Sequence, residues 1–183
     1  MRCLSCASVV LAASLAWAVP VQAQGHAHSH GRLALDVAVE AKLVTLVLAA
    51  PLHDLLGFER APRSVAERGR VAALVDQLQA ADKLFVLDPA GGCQLGEVQI
   101  ASAVLGLGAA PAPAKGEPAP EHGDLDMTAV FRCEKPARFV DVKLFNAFNR
   151  VRTVDVQLVT AKGQSRIGLR KAASRLALDG TAL

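Results

Sequence analysis

Apolar and polar positions alternate with a period of two along much of the chain. Leu33, Leu35, Val37 and Val39 share one parity, and Leu43, Val44, Thr45 and Val47 continue an apolar, β-branched pattern over residues 42–49. Alternate side chains of an extended chain point to opposite faces, so both stretches predict strands with one buried face. The intervening Glu40-Ala41-Lys42 is short enough for a hairpin. Pro51 ends the second strand, and residues 52–59 read as a compact turn with apolar anchors. The period then changes. Val71, Leu74, Val75 and Leu78 stand at i, i+3, i+4 and i+7, and Ser64 and Glu67 have capping-box spacing. Together they predict a helix over residues 65–81 with one face on the sheet. Residues 84–87 form a short apolar run stopped by the turn cluster Asp88-Pro89-Ala90-Gly91-Gly92. Strand patterns follow at 94–104, 125–133, 139–145, 153–160 and 165–169, and a short apolar stretch at 176–178 closes the series.

The order implies an α+β domain: a mainly antiparallel sheet of about seven short strands with one clear helix packed on it. One compositional break interrupts it. Residues 106–124 are dominated by Gly, Ala and Pro, with Pro111, Pro113, Pro118 and Pro120. Such a segment buries little side chain and is expected to be a mobile, partly polyproline-II loop.

Residues 1–23 read as a secretory signal peptide. Arg2 supplies the positive start, residues 9–19 are uncharged and apolar, and Val21-Gln22-Ala23 offers a cleavage site. The apolar run falls short of the about 20 residues that span a bilayer. The expected organisation is a leader at 1–23, a histidine-rich tail at 24–31 and one α+β domain at 32–183. The mature chain is expected to be exported and to have no membrane span. Of the four cysteines, Cys3 and Cys6 would leave with the leader. Cys93 and Cys133 would remain, and an even pair in an oxidising compartment points to a disulfide.

Composition excludes some functions. The net charge is +3, Tyr is absent and the single Trp lies in the leader, so no basic patch with interleaved aromatics supports nucleic-acid binding. No HExxH, GxSxG or Walker pattern is present, and enzymatic activity is not expected. Asp36, Glu40, Asp141 and Asp155 read as solvent-facing residues of alternating strands.

The candidate chemistry lies in His26-Ala27-His28-Ser29-His30-Gly31. Neutral imidazole is the commonest protein ligand for zinc, copper and nickel. His26, His28 and His30 are therefore candidate metal ligands, standing directly before the first strand. His122 and Asp124, at the end of the Pro-rich segment, are candidates for a further position. His53 beside Asp54 suits a ligand with a supporting carboxylate, but adjacent residues seldom bond that way, and a surface or structural histidine is the expected reading. If cleavage leaves Gln24-Gly25-His26 as the terminus, four nitrogens there would suit square-planar Cu²⁺ or Ni²⁺.

The series of motifs resembles the ZrgA-like periplasmic zinc-binding proteins. The matching segments are His26 to Gly31, Gly57-Phe58-Glu59-Arg60-Ala61-Pro62-Arg63-Ser64, Leu84-Phe85 before Gly92-Cys93, Phe131-Arg132-Cys133 and Leu144-Phe145-Asn146-Ala147-Phe148. The resemblance implies a periplasmic protein that binds zinc and assists its uptake, with a metal transporter or envelope protein as partner. His26, His28 and His30 correspond to the family's amino-terminal histidine motif. Two departures lower the expected metal capacity: residues 106–124 retain a single histidine, His122, among Ala and Pro where relatives carry a His/Asp/Glu tract, and Arg60 stands where histidine is common. The rival reading is a structural or adaptor module of the envelope whose histidines are incidental.

Overall fold

The computed structural model describes residues 30–108 and 123–179. The expected leader, His26, His28, the expected Gln24-Gly25-His26 terminus, His122 and most of the expected loop at 106–124 lie outside the described residues. Nine strands and four helices are described, in two sheets. Strands β1 (Arg32–Glu40), β2 (Leu43–Pro51), β4 (Gln94–Ala101), β5 (Asp124–Arg132), β7 (Thr153–Thr160) and β8 (Gly163–Leu169) form a six-stranded sheet in the order β4-β5-β2-β1-β7-β8. Strands β3 (Phe85–Leu87), β6 (Phe139–Val142) and β9 (Arg175–Ala177) form a three-stranded sheet in the order β3-β6-β9. The α+β class holds in its broad outline, with more strands than expected and a second sheet.

The alternation in β1 works as its parity predicts; in β2 the buried face is that of Val44, Leu46 and Leu48, and Val47 is exposed on the other. Leu33, Leu35, Val37, Val44, Leu46 and Leu48 are buried and their neighbours face outward. They pack with Phe85, Val140, Val142 and Leu176 of the small sheet and with Leu74 and Leu78 of the long helix in one hydrophobic cluster. Burying a leucine of this kind stabilises the fold by about 1.5–3 kcal/mol relative to exposure.

Four local expectations change. The long helix α2 (Val65–Gln79) stops two residues early, at Ala80, and a separate turn α3 (Ala81–Leu84) follows. Its start is as predicted: the Glu67 backbone N–H donates to Ser64 Oγ, and Ser64 N–H donates to the Glu67 carboxylate. The strand expected over 139–145 ends at Val142, and α4 (Leu144–Ala147) takes over. Consecutive Leu144 and Phe145 are both buried, which a half-exposed strand of period two does not allow and a helical turn does. β4 ends at Ala101 rather than 104 and carries a register shift between Leu95 and Glu97. Finally, β1 pairs with β7 in parallel, so the main sheet is mixed rather than a succession of hairpins.

That parallel pair positions the site. β1 and β7 begin at the same end of the sheet, Arg32 standing opposite Thr153. β2 ends there, and β5 begins opposite its last residue, Asp124 facing Pro51. Segments distant in sequence therefore converge at one end. The opposite end carries the two-residue turn between β1 and β2, and the Cys93–Cys133 disulfide closes β4 onto β5 there. Among the described residues, no helix is long and apolar enough to cross a membrane.

Candidate metal centre

The short helix α1 (Leu52–Leu56) follows β2 at the convergent end and buries Leu52, Asp54 and Leu56. This amphipathic turn leaves His53 half-buried at the surface. Gly57 closes the helix at φ +83°, a left-handed cap that favours glycine, with its N–H donating to the His53 carbonyl. The chain then doubles back through Phe58 to Glu59. Gly123 fixes the return: Leu52 N–H donates to its carbonyl at 2.8 Å, and a Cβ there would fall 2.5 Å from the Glu59 carbonyl oxygen. Only a residue without a side chain allows that approach.

His30 reaches the same place from the start of β1. The Gly31 carbonyl accepts from Arg152 N–H at 2.8 Å and from Thr153 N–H at 3.0 Å, which docks this turn on β7. From the other side, Gly31 N–H donates to Asp54 Oδ2 at 2.8 Å. Asp54 is 2% exposed, so this bond ties the His30 segment to the helix that carries His53. Asp54 therefore supports the site through Gly31, in keeping with the expectation that adjacent His53 and Asp54 seldom pair.

One ligand atom each from His30, His53 and Glu59 lies within 4.8 Å of the others. His30 Nδ1 stands 3.9 Å from Glu59 Oε1, and the two imidazole rings are 4.6 Å apart, tilted by 56°. Two imidazoles and a carboxylate are a borderline donor set suited to Zn²⁺, whose ligand bonds are about 2.0–2.2 Å long. Donors around such an ion stand about 3.3 Å apart, so closing the group needs modest movement. His30, with 65% of its side chain exposed, has the freedom to supply it, whereas Glu59 at 18% is more tightly held.

Of the candidates from the sequence, His30 lies in this group. Asp124 opens β5 opposite Pro51 and does not belong to the three-residue group. His53, expected as a surface or structural histidine, is half-buried at the surface and stands beside His30 and Glu59. Glu59 also went unassigned as a ligand. The available signal was the crowding of His53, Asp54 and Glu59 into one turn with a glycine at its hinge. Arg60, standing where the resemblance favours histidine, is engaged elsewhere. Its guanidinium nitrogens bond both Glu67 oxygens, at 3.0 and 2.8 Å. That pairing, with N–H donation from Arg63, holds the Glu67 carboxyl down at about 2.

A two-sheet α+β fold with two imidazoles and a carboxylate gathered at the end of its main sheet has the donors of a transition-metal-binding protein. A family model described as the ZrgA family zinc uptake protein matches residues 27–178, and the chain belongs to that family. Membership gives it a zinc-related role. No curated protein matches the chain.

Proposed function

We propose that this chain is a non-enzymatic periplasmic protein that captures zinc through His30, His53 and Glu59 and assists its uptake. The observation that carries this reading is the convergence of those three donors, from two segments, within 4.8 Å at the end of the sheet. Three protein ligands leave one tetrahedral position for water or an exchangeable ligand. An open, partly exposed site exchanges its ion more readily than a closed structural one, which suits delivery to a transporter. Binding requires neutral imidazoles, so zinc affinity falls on acidification.

The test is native mass spectrometry of the mature, untagged protein titrated with Zn²⁺. One ion per chain is expected for the wild type and for His26→Ala/His28→Ala, and none for His30→Ala/His53→Ala/Glu59→Gln. Loss of zinc in the His26/His28 variant, with retention in the other, would transfer the site to the tail. Copper binding alone, abolished by blocking the amino terminus, would favour the Gln24-Gly25-His26 site. No tight binding of either metal would leave an envelope adaptor.

A further inference from the structure

Arg150 lies in the turn before β7 and touches both segments that carry the metal group. Its carbonyl oxygen is 3.2 Å from where a Cβ on Gly31 would stand, next to His30. Its guanidinium Nη2 and Cζ are 2.8 and 3.1 Å from where a Cβ on Gly57 would stand, between His53 and Glu59 in the chain. The Arg152 side chain flanks the same turn, with Cγ 2.9 Å from the Gly31 position. Both arginines are exposed, and neither forms an ion pair among the described residues. The nearby arginines differ: Arg32 is closed by Asp155 at 2.7 Å and Arg60 by Glu67.

A zinc ion held by two neutral imidazoles and one carboxylate keeps one net positive charge and an open position. The Arg150 guanidinium, packed on the Gly57 cap of the helix that carries His53 and without an ion pair among the described residues, adds positive charge on this side of the site. An anion completes both at once. We propose that the site takes zinc together with a small carboxylate, one oxygen on the ion and the other accepting from the Arg150 guanidinium. The planar fork of arginine matches a two-oxygen acceptor in a way that lysine does not. This proposal rests on the zinc reading above. The competing role for Arg150 is structural, a cation at the carbonyl end of α1.

Two readouts on the full mature chain separate these roles. Zinc affinity is measured by chelator competition in sodium perchlorate and in sodium acetate at equal ionic strength, with correction for acetate bound to free zinc. The visible spectrum of the Co²⁺-loaded protein is recorded in both media. Acetate is expected to raise wild-type affinity about fivefold, the size of an exposed charge-assisted contact, and to shift the cobalt bands. Arg150→Ala should bind zinc in perchlorate but lose both acetate effects, and Arg150→Lys should keep a reduced response. An acetate response in Arg150→Ala equal to that of the wild type would overturn the proposal, as would zinc affinity in the wild type that ignores acetate. Equal weakening of Arg150→Ala in both media, with a lowered melting temperature, would assign the structural role instead. Absence of zinc binding in either medium would overturn the zinc reading itself.

Discussion

The two ends of the six-stranded sheet are held by different chemistry. At one end the β1–β2 turn is short, Cys133 N–H donates to the Lys42 carbonyl at 2.8 Å, and Cys93–Cys133 joins β4 to β5 covalently. At the other end, four strand ends meet around Asp54–Gly31, the His30–His53–Glu59 group and Arg150. The first end is finished by the chain alone. The second gathers the three donors proposed to hold zinc. On the proposed reading, the crosslink and the zinc site lie at opposite ends, and perturbing one should leave the other largely intact.

The sharpest break in that comparison is Cys93→Ser/Cys133→Ser. With a sequence separation of 40, the chain-entropy model assigns the crosslink roughly 4 kcal/mol of stabilisation. Denaturant unfolding of the metal-free variant should show a loss of that order, while the folded protein still binds one zinc. Next in size is zinc itself. At a free concentration 100 times its Kd it should stabilise the wild type by about 2.7 kcal/mol. His53→Ala should abolish that gain while changing metal-free stability little. Hydrogen exchange should locate the protection at residues 30–32 and 52–59 rather than at the disulfide end.

Asp54→Ala links the two properties. It leaves the Gly31 N–H without its carboxylate partner in a buried setting and should cost about 1–3 kcal/mol. Zinc affinity should fall with it, because the His30 turn loses its tie to α1. Asp54→Asn, whose amide oxygen still accepts, should recover most of both.

The smallest effect is acid sensitivity, which belongs to neither end. Arg60 holds the Glu67 carboxyl at about 2, and Arg138 and Arg175 lower those of Asp88 and Asp141. Carboxylates depressed in the folded state contribute stability above their unfolded values, and that contribution is lost as pH falls through the folded ones. The metal-free melting temperature should therefore be level near neutrality and decline from about pH 4.5 towards 2. Glu67→Gln should lower it slightly at neutral pH and soften the acid decline.

What local pattern encodes was legible, and what long-range pairing decides was not. Leu33, Leu35 and Val37 announced β1 by parity, Ser64 and Glu67 announced the helix start, and the two remaining cysteines announced their bond. The parallel β1–β7 pair has no local signature, since its partners are about 120 residues apart and either strand would read the same beside another neighbour. Leu144 continued the parity of Val140 and Val142, so the period alone could not separate a strand from the turn of α4. The site followed the same rule. His30 stood out within a histidine run. His53 did not, because its chain neighbour Asp54 bonds Gly31, while its neighbours in the candidate site lie 23 residues before it and six after.

His53 and Glu59 belong to this ligand set and not to that of the tail, and one titration of His53→Ala tests the account most directly. Calorimetry of the mature, metal-free protein with Zn²⁺ should show one site in the wild type and a loss of at least about a hundredfold in affinity in the variant. Circular dichroism of the variant should match the wild type. A variant that is folded and binds zinc as the wild type does would remove His53 from the site and contradict the account.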